Sequence, residues 1–286
     1  MTESEWLAST DPQAMLAWLT GDYSPVARDL GPARVSDRKL RLFACACVRQ
    51  VWHLLTDERS RQAVEVAELF ADGMVSRRKL SDAWYSSWNV IGSPCGSEEK
   101  TNRPRAAHVA SHCANPDSPF GYTLNDLRFL YPVESRPPDT VLGHILRDIV
   151  GNPFRPVSVW ENYDPAKHPA AYVRDAWIKG CPWITPLVVS LATAAYDNRL
   201  PSGQLDPEQL AVLSDALEDA GCEHLDVEVE VCHCFMYGCD EFDSMDRCPS
   251  KTIEKRRQVH PLLAHLRSPV PHWRGCWAVD LLLGKE

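Results

Sequence analysis

Ser36-Asp37-Arg38-Lys39-Leu40-Arg41-Leu42-Phe43-Ala44-Cys45-Ala46-Cys47-Val48-Arg49-Gln50-Val51-Trp52-His53-Leu54-Leu55 is the stretch on which the fold turns. Ser36 and Asp37 are helix-capping residue types, with a side-chain oxygen able to accept a backbone N–H of the first turn. Leu40, Phe43, Ala44, Cys47, Val51 and Leu55 then recur at three- and four-residue steps, the spacing of one helical face. Val48, Trp52 and Leu54 widen that stripe, so the pattern predicts a central helix running to about Leu55. Cys45 and Cys47, two apart on such a helix, point roughly 200° from one another and do not chelate one ion. They read as small core thiols.

The same punctuation extends outward. Asp11-Pro12 opens a short helix that ends by Gly21, with proline in a favoured first-turn position. Thr56 or Asp57 starts a helix with Ala63, Val66, Ala67 and Phe70 on one face and Gly73 as its stop. A third helix is expected from Ser76 to about Trp88. Asp139-Thr140 begins one through Ile145 and Ile149, which Gly151 terminates and Pro153 keeps from resuming. Thr185-Pro186 starts Leu187 to about Asp197, and Asp206-Pro207 starts another to Ala220, closed by Gly221. Arg256 to Leu266 and Gly275 to Leu283 are two final helical segments in this reading. Leu225 to Val231 (Leu-Asp-Val-Glu-Val-Glu-Val) is the one clean period-two run, a single edge or hairpin strand.

The expected fold class is therefore all-α: an irregular multi-helix bundle or short helical array, with a small irregular Cys-rich insert and at most one short strand or hairpin. Residues 1–91 form an N-terminal helical part and residues 139–286 a C-terminal one, the latter carrying a Cys-rich acidic insert at 226–250. Between them, Gly92 to Pro138 is rich in Ser, Pro, Asn and Gly, and holds only a short helix near Leu124–Leu130. It is expected to be a flexible or irregular insertion, since few apolar anchors offset the entropy of ordering it.

Composition limits the function classes. In a chain of 286 residues, 44% hydrophobic and 24% charged residues describe a globule, and exclude collagen, extended disorder and a membrane bundle. The longest apolar stretch, Pro186 to Tyr196, is too short to span a bilayer and contains Ser190 and Thr193. Residues 1–20 carry Glu3, Glu5 and Asp11 without a basic residue, unlike a signal peptide, so a cytoplasmic location is expected. There the 11 cysteines, an odd number, are expected to stay reduced. The net charge of −9 is concentrated: Leu205 to Cys248 holds 13 acids and one base, net −12, which leaves +3 for the rest. That asymmetry disfavours a phosphate backbone as the main partner and points to another protein, with no membrane. The basic runs Arg77-Arg78-Lys79 and Lys251 with Lys255-Arg256-Arg257 read as solvated helix faces or termini.

Several runs carry a likeness. Glu5-Trp6-Leu7 with Asp11-Pro12, Ser36 to Ala44, Val51 to Ser60, Leu146 to Ile149 with Gly151 to Pro156, Leu213 to Cys222, and Leu262 through Arg274-Gly275-Cys276-Trp277 to Glu286 lie in this order. Together they resemble an uncharacterised family of planctomycete-type bacterial helical proteins. The resemblance implies a helical cytoplasmic protein, one of many paralogues, and transfers no activity, ligand or catalytic residue. The chain departs from the family pattern in its middle stretch and at about 226–260.

The strongest chemical signal lies in that second departure. Cys232, Cys234, Cys239 and Cys248 give C-x-C-x4-C-x8-C, with His233, Cys222, His224 and His260 as substitute ligands. Four thiolates suit tetrahedral Zn²⁺, and a short segment without a core of its own can wrap one ion, so a structural zinc loop is expected. The C-x-C-x4-C piece is similar to the cysteine spacing beside methyltransferase SET domains, without the rest of that domain. Asp240, Glu241, Asp243 and Asp246 do not follow a calcium-loop order and read as a solvated acidic loop. Asp215, Glu218, Asp219 and Cys222 share a helix face, the wet side of an amphipathic helix. His260 and His265 are five apart and do not converge as H-E-x-x-H would; His108 and His112, four apart, suit a metal if their segment is helical. Trp273 and Trp277 are core residues or a partner-binding anchor.

No phosphate loop, dinucleotide fingerprint or nucleophile elbow occurs. The leading expectation is a non-enzymatic helical protein-interaction module with a structural zinc loop. Its alternatives are a metal-dependent hydrolase or transferase using the Cys/His cluster, and a zinc-supported nucleic-acid binder using Arg256-Arg257.

Overall fold

The computed structural model describes residues 1–20, 35–91, 102–117, 127, 137–154, 183–222, 224–232 and 251–285. Within these the chain is helical, as its punctuation requires. The N-terminal helices are α1 (Glu3–Ala8), α2 (Pro12–Thr20), α3 (Asp37–Arg49), α4 (Glu58–Ala71), α5 (Arg77–Ile91), α6 (Asn102–Cys113) and α7 (Asp139–Val150). The others are α8 (Pro186–Asp197), α9 (Pro207–Asp219), α10 (Pro261–Leu266) and α11 (Trp277–Leu283). Between α9 and α10, β1 (His224–Cys232) pairs antiparallel with β2 (Lys251–Val259) in a two-stranded sheet.

The capping signals act as read. Ser36 accepts from Lys39 N, Asp57 from Arg59 N, Thr185 from Val188 N and Asp206 from Glu208 N. The α3 stretch stops at Arg49 and continues as a tighter 3-10 turn, Trp52–Leu54, short of an unbroken helix to Leu55. α1 was not expected; its signal is the Thr2…Glu5 capping box, in which each side chain takes the other's backbone N–H.

Two readings need correction. Residues 251–259 form a strand where a helix from Arg256 was expected, and helix begins only at Pro261. In register, Asp226 stands opposite Arg257 and Glu228 opposite Lys255. Pro261 lacks the N–H that a helix interior would need, but suits a first helical position. The stretch 92–138 is also not irregular throughout. Residues 102–113 form α6, because Pro104 falls in the first turn, where its missing donor is not used. Ala106, Val109, Ala110 and Cys113 of α6 are buried against the first core. Of the short helix expected near Leu124–Leu130, only Leu127, buried, is among the described residues.

The apolar side chains form two clusters. The first gathers Trp6, Met15, Phe43, Leu80, Ile145 and Leu146, so α7 packs with α2 and α3 although sequence grouped it with the C-terminal part. The second gathers Val188, Leu210, Leu213, Leu263, Val279 and Leu282 from α8 to α11.

Between the clusters runs a seam of buried charge. Glu68 and Asp72, one turn apart at the end of α4, face cations from both parts. Glu68 takes Arg49 at 2.6 Å and Arg199 at 2.9 Å. Asp72 takes Arg38 at 2.9 Å, Lys285 at 3.3 Å and the Arg274 guanidinium. Asp280 of α11 receives Arg38 at 2.7 Å, Lys39 at 2.5 Å and the Tyr196 hydroxyl at 2.6 Å. Gly203 lets the chain pass over this seam: its φ is +85°, and a Cβ there would lie 2.2 Å from Arg49 Cδ.

Burial would raise all three carboxyl pKa values, but the cations outweigh it and hold them below their ordinary range: Arg49 at Glu68, Arg274 and Arg38 at Asp72, Lys39 and Arg38 at Asp280. A carboxyl depressed in the folded state adds stability above its unfolded value, about 4, and loses it as pH falls through the folded value. Urea unfolding should therefore give steady stability from about pH 7 to 5 and a steep decline below about pH 4. Asp280→Asn should cost about 3 kcal/mol near neutrality and flatten that decline. Stability that instead held through the acid range would contradict this account of the seam.

Candidate metal centre

Asp148 sits in the last turn of α7, on the side turned toward the C-terminal segment. Its carboxylate is 2% exposed, and water does not compensate it. Protein donors do. His265 Nε2 lies 3.0 Å and His272 Nδ1 2.6 Å from Oδ1, while the Trp273 backbone N–H donates to Oδ2 at 2.7 Å. Burial pushes the Asp148 carboxyl up, but the two histidine hydrogen bonds outweigh it and bring it down to about 2. The carboxylate is therefore ionised and accepts only, so both facing imidazole nitrogens carry the protons.

Cys276 closes the group. Its Sγ lies 3.3 Å from His265 Nε2 and 3.7 Å from His272 Nδ1. Burial and the Asp148 charge push this thiol well above its ordinary pKa, which leaves it a poor nucleophile. One donor atom from each of Asp148, His265, His272 and Cys276 lies within 4.8 Å of the others, so the group is able to hold a metal ion.

The way the rings are used decides what the centre can do. In a Cys-His-Asp relay, a histidine meets the acid through one nitrogen and the nucleophile through the other. Here His265 turns the same Nε2 to Asp148 and Cys276, and His272 turns the same Nδ1 to both. Four donors thus converge on one point instead of forming a chain. A tetrahedral ion with bonds of about 2.1 Å to N or O and about 2.3 Å to S would hold N and O donors roughly 3.4 Å apart, and S and N donors roughly 3.6 Å apart. The sulfur distances of 3.3 and 3.7 Å bracket that figure. The carboxylate distances of 2.6 and 3.0 Å are hydrogen-bond lengths, and would open as an ion replaced the two protons.

Local sequence explains how the ligands are delivered. Pro261 starts α10, and His260 caps it through Nδ1, which accepts from Leu262 N at 3.2 Å. That places His265 in the last turn. Leu205 N donates to His272 O at 2.8 Å, and Gln204 bridges to Trp273, pinning the loop before α11 to the α8–α9 connection. Cys276 is the N-cap residue of α11.

The sequence singled out other ligands. Cys234, Cys239, Cys248 and His233 lie outside the described residues, as does the acidic loop at 240–246. Cys232 ends β1 opposite Lys251, and His224 begins it opposite Val259. Eight strand steps separate these two ends, roughly 27 Å. Cys222, His224 and His260 therefore stand at the base of the hairpin and do not share an ion with Cys232. Cys222 and His260 are buried, the latter edge-on to Trp183 with ring centroids 5.2 Å apart. His108 and His112 do fall on a helix, with ring centroids 4.5 Å apart. Sequence reasoning did not find Asp148, His265, His272 or Cys276 as ligands, and set His265 aside because it does not converge with His260. The available signal was His265-x6-His272-x3-Cys276, three ligand types in a short run. Asp148 has no local signal at all.

No family model, curated protein or solved structure matches the chain.

Among the described residues, no helix is long and apolar enough to cross a membrane. Asp148→Ala leaves the half-buried His265 and buried His272 imidazoles and the Trp273 N–H without their acceptor. It should lower the unfolding free energy by about 3 kcal/mol in urea titration. A loss below about 0.5 kcal/mol, the range of an ordinary surface substitution, would remove Asp148 from this role.

Proposed function

We propose that the chain is a non-enzymatic helical module whose two packed clusters are fastened by a structural zinc ion held by Asp148, His265, His272 and Cys276. The observation that carries the reading is the convergence of four donor atoms on one buried point. A closed set of four protein ligands leaves no position for a substrate or an activated water, as structural sites do and catalytic ones do not. The donor set also selects among ions: a thiolate with two imidazoles suits zinc or cobalt, whereas calcium and magnesium prefer all-oxygen shells. Asp148 comes from α7 of the first cluster and the other three ligands from the C-terminal segment, so the ion would clasp one to the other.

A protein partner fits the surface better than nucleic acid. Met74, Tyr85 and Trp88 stand 68%, 61% and 44% exposed on and just before α5. Exposed apolar side chains of this kind suit a protein contact. The acidic balance of the chain argues against a phosphate backbone. Cys45, Cys47, Cys113 and Cys276 are thiols, consistent with a reducing, cytoplasmic setting.

The cysteine-rich segment is a second place for an ion. The ladder ends with Cys232 opposite Lys251, and in sequence Cys234 follows the one by two residues and Cys248 precedes the other by three. Elemental analysis of protein purified without chelator separates the two. Zinc near one per chain that is lost in Cys276→Ser and His272→Ala but kept in Cys232→Ser supports the Asp148 centre. Zinc lost only in Cys232→Ser, or below about 0.1 per chain in the unaltered protein, would overturn it.

A further inference from the structure

The four ligands differ in how they meet the solvent. The side chains of Asp148 and His272 are 2% and 4% exposed and Cys276 is fully buried, whereas that of His265 is 21% exposed. An ion entering or leaving such a site must pass the ligand that solvent can reach. That ligand does not stand open. The Trp277 ring lies against His265 with centroids 4.7 Å apart and planes at 42°, while His272 stands edge-on at 4.6 Å on the same imidazole.

Trp277 is itself held from behind. Gly151, at the C-cap of α7, has φ +79°, and a Cβ there would come within 3.1 Å of Trp277 Cγ. Real Cβ atoms rarely approach so closely, so a larger residue at 151, itself strained at this φ, would displace the indole from its seat on His265. The same two turns thus supply both ligand and cover. α7 brings Asp148 and, three residues later, the seat for the indole. The start of α11 brings Cys276 and, in the next residue, the indole itself.

We infer that Trp277, seated on Gly151, controls exchange of the ion through His265, and so makes the fastener kinetically closed. This rests on the zinc reading above. In exchange, a donor atom of an incoming chelator forms a bond to the ion as the bond to His265 Nε2 breaks, and the freed nitrogen takes a proton from water. The indole must swing from the imidazole before that donor can approach. Trp277 is a positioning residue in this account: it touches the ligand and not the ion.

The test loads the whole chain with Zn²⁺ and follows its transfer to a chromogenic chelator in excess. Trp277→Ala should release zinc about tenfold faster or more, the scale on which groups behind metal ligands act. Trp277→Phe, which keeps a ring on His265, should stay close to the unaltered rate. Gly151→Ala should speed release with all four ligands and the indole present, and keeps the proposal testable if Trp277→Ala folds poorly. A structural role of Trp277 alone would lower thermal stability without this ordering of rates. Equal release rates in fully loaded unaltered, Trp277→Ala and Gly151→Ala chains would overturn the inference while leaving the zinc fastener standing. An unaltered chain that cannot be loaded would overturn the zinc reading itself, and this inference with it.

Discussion

The buried charge of Asp148 is the constraint on which the join between the two clusters depends. A carboxylate at 2% exposure is tolerated only where donors are built around it, because leaving it unpaired costs several kcal/mol. All of its donors come from one run, His265 to Trp273, more than a hundred residues further along. α7 therefore cannot keep its charged face buried unless the C-terminal segment is docked on it. Cys276 adds a fourth donor to the same point, and its burial beside that charge keeps it a thiol, unsuited to nucleophilic chemistry; only a cation at that point would favour its thiolate.

The charged seam reinforces this join one turn further along α11, at Asp280. Glu68 and Asp72 gather cations from α3, from the α8–α9 connection and from the C-terminus, and Asp280 returns the pairing from α11 to α3. Each carboxylate is shared by at least two cations, which satisfies more of its acceptor sites than one pair would. Buried pairs add little net stability over apolar packing, but they punish misdocking, since any slip strands a charge. Two independent polar sets, one around Asp148 and one along α4 and α11, thus fix how the second cluster meets the first.

What sequence could show follows from how local the cause is. Helix starts at Ser36, Asp57, Thr185 and Asp206 are set by a side chain two or three residues from the N–H it accepts, and they were legible. β2 was not, because Lys251–Val259 has no alternating pattern and becomes a strand through its backbone ladder with β1. α6 was hidden by Pro104, which reads as a breaker until its first-turn position is known. The centre was hidden for a different reason. Its C-terminal ligands are spaced by a turn and a short helix, with no motif period, and Asp148 joins them only after folding. The cysteine run at 232–248 drew attention through density of ligand types, whereas the Asp148 centre rests on convergence, which one-dimensional spacing does not record.

The proposed fastener is a metal held by one sulfur, two imidazoles and a carboxylate at the meeting of α7 with the C-terminal segment. X-ray absorption at the zinc edge reads that shell directly. The expected shell is one sulfur at about 2.3 Å and three nitrogen or oxygen neighbours at about 2.0–2.1 Å, with the outer-shell scattering of imidazole. A shell of four sulfurs would place the ion among Cys232, Cys234, Cys239 and Cys248 and contradict the account, as would a six-oxygen shell.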